Sequence, residues 1–279
     1  MYKKTLNKKM RRDLSITIAF AIIISSLIGL NISLIPSVSA DLDGPYYIRG
    51  YINDSTDNAV QNGATVNVTN IDTSYSSTTT TVNGLYQINV GKDTGFNCAN
   101  NHQIVVRCVN GTEVGENQTT IDTTGTFSWC NLTGDKKLEA KTTSFSINDT
   151  NWDNGVLSYN TSNTTSNTYF NLSNDGNVAI NLSIYSEDIT FNGNTWNLVN
   201  DTSTAKNKYS IKYQKNPEAT WSNITLVNTS FKTDLQYNSD YFDYTYWQTF
   251  GLNFTMPWQN SDKPSSTTSF KVTFWSIEA

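Results

Sequence analysis

The sequence predicts an all-β protein: two consecutive β-sandwiches after an N-terminal apolar helix. Two observations carry this. Beyond residue 40 the chain is a succession of short runs in which apolar and polar residues alternate, with no persuasive helical periodicity. Those runs are punctuated by turn residues, above all Asn83-Gly84, a pair suited to the two positive-φ positions of a tight hairpin. In chain order, Tyr47 to Ile52 reads as an opening strand, and Ala64 to Thr69 alternates at period two. Ser74 to Val82 leads through Asn83-Gly84 into Leu85 to Val90. With Gln103 to Val109 and Thr126 to Leu132, this makes roughly seven strands in about 90 residues, the count of a sandwich. A polar, charged stretch, Gly134 to Lys141, separates this segment (41–135) from a second (144–279), with 136–143 as linker. The second opens at Thr143 to Ile147. It continues through Tyr169 to Ile184 around an Asn174-Asp175-Gly176-Asn177 turn that reads as a hairpin. Phe250 to Pro257 and Ser269 to Ile277 read as a final hairpin after a loop.

Residues 1–40 have the order of an export signal. Lys3, Lys4, Lys8, Lys9, Arg11 and Arg12 precede an apolar run from Leu14 to about Ile35, and a small-residue site, Val38-Ser39-Ala40, follows. Cleavage after Ala40 is the expected outcome. The run, at roughly 20 residues, is also long enough for an uncleaved anchor. The Arg11-Arg12 pair leaves a twin-arginine route open, and a cut near Asp13 would retain the helix as the stalk of a pilin-like subunit. Past residue 40 the chain holds 13 Lys and Arg against 23 Asp and Glu, a net charge of −10. That leaves no basic face for nucleic acid. A membrane contact is expected only through an uncleaved N-terminal segment.

The exported part is rich in Asn, Ser and Thr and contains 14 Asn-X-Ser/Thr triplets. Such a composition generates triplets by chance, yet their density on an exported chain favours glycosylation at some of them. Asn53, Asn110, Asn117, Asn163, Asn200 and Asn228 are the candidates. Three cysteines, Cys98, Cys108 and Cys130, lie in the first segment, so one disulfide at most closes within the chain. If Gln103 to Val109 is extended at about 3.3 Å per residue, Cys98 and Cys108 stand too far apart to pair with each other. Cys98 with Cys130 is the preferred bridge, with Cys108 and Cys130 the alternative. The spacing offers no close Cys-X-X-Cys pair for zinc.

The residues Gly50-Tyr51-Ile52, Gly63-Ala64-Thr65-Val66-Asn67-Val68 and Asn83-Gly84-Leu85-Tyr86-Gln87-Ile88 resemble the carboxypeptidase regulatory-like, or transthyretin-like, sandwich over about residues 45–135. The resemblance implies a spacer or stalk module of a surface protein. A related adhesin family crosslinks a first-strand Lys, but this first strand carries Arg49 instead. Asn174-Asp175-Gly176-Asn177-Val178 and Phe250-Gly251-Leu252-Asn253-Phe254-Thr255-Met256-Pro257 are similar to immunoglobulin-like sandwiches of exported prokaryotic, especially archaeal, envelope proteins. That likeness implies a surface module and includes subunits that polymerise by strand exchange.

Catalysis is weighed by what is missing. His102 is the one histidine of the chain, and Asp234, Asp240 and Asp243 form the densest acidic set, interleaved with tyrosines. No phosphate loop, cofactor motif or calcium loop is present in the sequence. The expectation is a protein without enzyme activity, cofactor or metal. The run Tyr237, Tyr241, Tyr244, Tyr246 and Trp247 is a candidate ligand patch, since Tyr and Trp present apolar faces with a polar edge. The preferred reading is core and edge packing for half of it, because Phe242, Tyr244 and Tyr246 would share one face of a strand. The expected role is therefore contact at a cell surface or outside the cell: adhesion, envelope structure or display. The partner would be an envelope glycan, a protein or a second copy of the chain.

Overall fold

The computed structural model describes residues 44–60, 62–91, 94–200, 205–258, 261–262, 264 and 268–279. The expected signal helix at 1–40 lies outside them. The described chain is all-β, and no α-helix occurs among the described residues. Its first strands are β1 (Tyr47–Tyr51), β2 (Asn62–Asn70), β3 (Tyr75–Val82), β4 (Leu85–Asn89), β5 (Gln103–Asn110), β6 (Glu113–Thr120), β7 (Phe127–Trp129) and β8 (Glu139–Ala140). There follow β9 (Phe145–Ile147), β10 (Ser162–Thr164), β11 (Phe170–Asn174), β12 (Ile180–Ser186), β13 (Ile189–Phe191) and β14 (Asn194–Leu198). The last are β15 (Lys208–Lys215), β16 (Ser222–Asn223), β17 (Thr229–Leu235), β18 (Trp247–Thr255) and β19 (Val272–Glu278).

Strands β1 to β8 form one sheet in the order β7-β1-β4-β3-β2-β5-β6-β8. The turn between β3 and β4 is the one the sequence predicts: Asn83 and Gly84 have φ of 52° and 77°, the mirror-image geometry that matches strand twist. The sheet curls until β6 meets β7, where the Ser128 hydroxyl donates to the Thr120 carbonyl at 2.8 Å and the Asn117 amide to the Asn131 carbonyl at 2.8 Å. Alternation then fills the interior, with Ile48, Ile52, Val66, Val68, Tyr86, Ile104, Val106 and Leu132 all essentially inaccessible. Sequence reading missed β6, whose polar residues Glu113, Glu116, Asn117 and Gln118 conceal its single buried valine, Val114. Part of the expected linker belongs to this sheet as well, since β8 pairs with β6.

The second part is two sheets around a shared core. One runs β13-β14-β15-β18-β11-β9, with β10 on β18 and β16 on β15; the other is β17-β12-β19. Both expected hairpins are corrected here. Strand β11 pairs with β9 and β18, whereas β12 pairs with β17 and β19, so the Asn174–Asn177 turn carries the chain from one sheet to the other. Buried Asn174 holds this corner by donating its amide to the carbonyls of Val178 and Leu235 at 2.9 and 3.0 Å. Strands β18 and β19 likewise lie in different sheets. Their inward residues meet in one aromatic cluster, where Phe250 packs on Phe170, Phe231 and Phe274 with centroids 5.1 to 5.4 Å apart.

Candidate functional site, an exposed aromatic cluster on the first sheet

The five candidate patch residues do not form one exposed surface. Residues 237–246 are a loop rather than a strand, and Trp247 begins β18. Tyr237 is only 6 % exposed, because it closes the contact between the two parts of the chain. Its hydroxyl donates to Glu116 at 2.9 Å and accepts from Arg107, whose guanidinium also lies over the Tyr237 ring. Ser239 donates to the other Glu116 oxygen at 2.7 Å, and Arg107 donates to the Asn177 carbonyl at 3.2 Å. Burial, countered partly by Arg107, raises the Tyr237 phenol well above its ordinary range. Tyr241 reaches Asn117 and lies beneath Lys136, while Tyr244 stacks on Phe242 at 4.8 Å. These groups join the two parts; Trp247 alone of the five is exposed outright.

The cysteines are all buried in the first core. Cys98 lies 3.7 Å from the Asn70 amide, whereas Cys108 and Cys130 both bear on the Tyr86 hydroxyl, and burial pushes each of these two thiols up to about 12. His102 faces the Asn70 amide at 3.1 Å, at the end of β2. Among the described residues no group of three His, Cys, Asp or Glu is gathered to hold a metal ion. A cavity of about 1520 Å³ opens between the two sheets of the second part; its walls, including Trp152, Trp196, Phe254 and Phe270, continue the core.

A different surface gathers exposed aromatic groups. Because Ile48, Gly50 and Ile52 face inward, the intervening residues Arg49 and Tyr51 face out from β1. The same alternation on β7 buries Ser128 and Cys130 and turns Phe127 and Trp129 outward. β1 and β7 run parallel with Tyr47 opposite Phe127 and Arg49 opposite Trp129, so the four side chains converge. Tyr51, Phe127 and Trp129 are 51 %, 40 % and 43 % exposed. The Tyr51 and Trp129 rings are nearly parallel, 13° apart with centroids at 5.7 Å, and Phe127 meets Trp129 edge-on at 6.2 Å. The Arg49 guanidinium lies over both Phe127 and Trp129, at 3.5 and 4.5 Å from the ring centroids. Cross-strand aromatic pairs stabilise a sheet by some tenths of a kcal/mol up to about 1. Three rings left this exposed also retain apolar faces for a second molecule.

The site was missed in the sequence because Arg49 and Trp129 are 80 positions apart. The available signal was an aromatic residue or Arg49 at each outward position of two short strands whose inward positions, Ile48, Gly50 and Ser128, are buried. No protein family, curated protein or solved structure matches the chain, so its role must be argued from these residues.

Proposed function

We propose that this chain is an exported, glycosylated cell-surface protein that makes contact through the aromatic cluster of β1 and β7 and performs no chemistry of its own. In this reading the first part is a carboxypeptidase regulatory-like sandwich and the second an immunoglobulin-like one. The observation that carries it is the convergence of Tyr51, Phe127 and Trp129, each at least 40 % exposed, on one face of a sheet whose other face is sealed core. Such rings offer apolar faces to a saccharide or a protein loop without any lining that a reaction would require. The Arg107–Glu116–Tyr237 contact supports a display role, because it ties the binding sheet to the second part.

Binding of the exported protein to polysaccharides prepared from its own envelope tests the reading. Trp129→Ala and Tyr51→Ala are expected to weaken binding about 5- to 30-fold each, about 1–2 kcal/mol, while the melting temperature moves little. Equal binding by the parent and both variants would sink it. Glycopeptide mapping supplies a second check. Asn228, exposed ahead of β17, is expected to be modified. Asn117 is expected to remain bare, because its amide already donates to the Asn131 carbonyl while its oxygen accepts from Gln118. A sugar at Asn117 with none at Asn228 would contradict this.

Assembly is a second reading, favoured by β19. This strand lies at the edge of its three-stranded sheet and exposes Trp275 and Ile277, the kind of edge through which sheets join. Elution of the purified chain as a polymer would establish it, and a monomer would remove it.

A further inference from the structure

Arg49 is the group that makes this cluster selective. Of the two arginines among the described residues, Arg107 is paired with Glu116 and the Asn177 carbonyl, but Arg49 meets no carboxylate and no hydrogen-bond acceptor among them. Its Nε is buried without a partner. Cation–π attraction from Phe127 and Trp129 holds the guanidinium flat, and its planar fork of donors is left unused. The chain past residue 40 carries a net charge of −10 with Arg49 included, so a cation fixed at this exposed aromatic surface contrasts with the charge of the rest.

Resting on the contact role proposed above, we infer that the cluster binds an acidic saccharide through a uronic acid unit. The sugar's C–H face lies against the Trp129 or Tyr51 ring, and its carboxylate accepts two N–H bonds from Arg49. A pyranose ring supplies the flat apolar face that aromatic surfaces take up. Its carboxylate projects from the ring edge, where it can meet the guanidinium that lies over Phe127 and Trp129. Carboxylate and guanidinium match in planarity and in number of bonds, so Lys at this position would supply the charge without the fork. A protein partner would need an acidic side chain framed by an apolar rim, and that case is one of the outcomes below.

The test is affinity electrophoresis of the exported chain in gels containing polygalacturonate, or dextran as the neutral control. The expected result is retardation by polygalacturonate, at least roughly tenfold weaker in Arg49→Gln and only partly restored in Arg49→Lys. Trp129→Ala should lose it too. Near-UV circular dichroism of each variant shows whether the sheet is intact, and Arg107-proximal Asn177→Ala serves as a control away from the cluster. Equal retardation by dextran, unchanged in Arg49→Gln, would overturn the uronate assignment and leave the contact role standing. No retardation by either polymer would overturn the assignment, and capture of an envelope protein that is lost in Trp129→Ala would then identify a protein as the occupant. Retardation gained only in Asn131→Gln, whose parent asparagine begins a glycosylation triplet and accepts from the Tyr51 N–H at 2.9 Å, would overturn it in favour of the chain's own glycan as occupant.

Discussion

Gly50→Ala is expected to destabilise the first sheet by about 3 kcal/mol and to abolish ligand contact with it. A Cβ at Gly50 would lie 2.0 Å from the Cys130 carbonyl oxygen, 2.7 Å from its carbon and 2.9 Å from the Tyr86 ring. None of these is the free end of a flexible chain. The same carbonyl accepts the Tyr86 hydroxyl at 2.6 Å, and the Cys130 N–H donates to the Arg49 carbonyl at 2.9 Å. The methyl group therefore fits only if β1 and β7 separate, and that pairing is what brings Arg49, Tyr51, Phe127 and Trp129 together. Denaturant unfolding measures the cost, and envelope-polysaccharide binding at a temperature where the variant remains folded measures the loss of contact. A cost below about 1 kcal/mol with binding intact would mean that β1 and β7 need not approach this closely.

Phe250→Ala should produce a comparable or larger loss, about 3–5 kcal/mol, confined to the second core. Phe250 is 1 % exposed and lies at the centre of Phe170, Phe231 and Phe274, which reach it from β11, β17 and β19. Truncation leaves a cavity between two sheets that share no backbone pairing with each other, so side-chain packing is what they lose. The first core contains none of these residues. Unfolding followed by the near-UV signal should therefore show an early transition in the second part, with saccharide binding by the first part retained until a later one. Simultaneous loss of both would mean that the Arg107–Glu116–Tyr237 contact makes the two parts a single cooperative unit.

The sequence determined by itself what alternation and turn chemistry fix locally. It placed β1 to β5 and the Asn83-Gly84 turn, because each depends on neighbours no more than a few residues away. It also showed an acidic, asparagine-rich chain with one histidine. Tertiary structure decided which strands are partners. The runs flanking Asn174–Asn177, and the last two strands, alternate as a hairpin would, yet each pair divides between facing sheets. Alternation states that one face is apolar and leaves open whether the next strand lies beside it or across the core. The tyrosine-rich loop looked like a surface patch because local composition cannot register that Arg107 and Glu116, more than 100 residues earlier, would bury Tyr237. The aromatic cluster stayed hidden for the converse reason: Arg49 and Trp129 become neighbours only when the sheet curls and sets β7 parallel to β1.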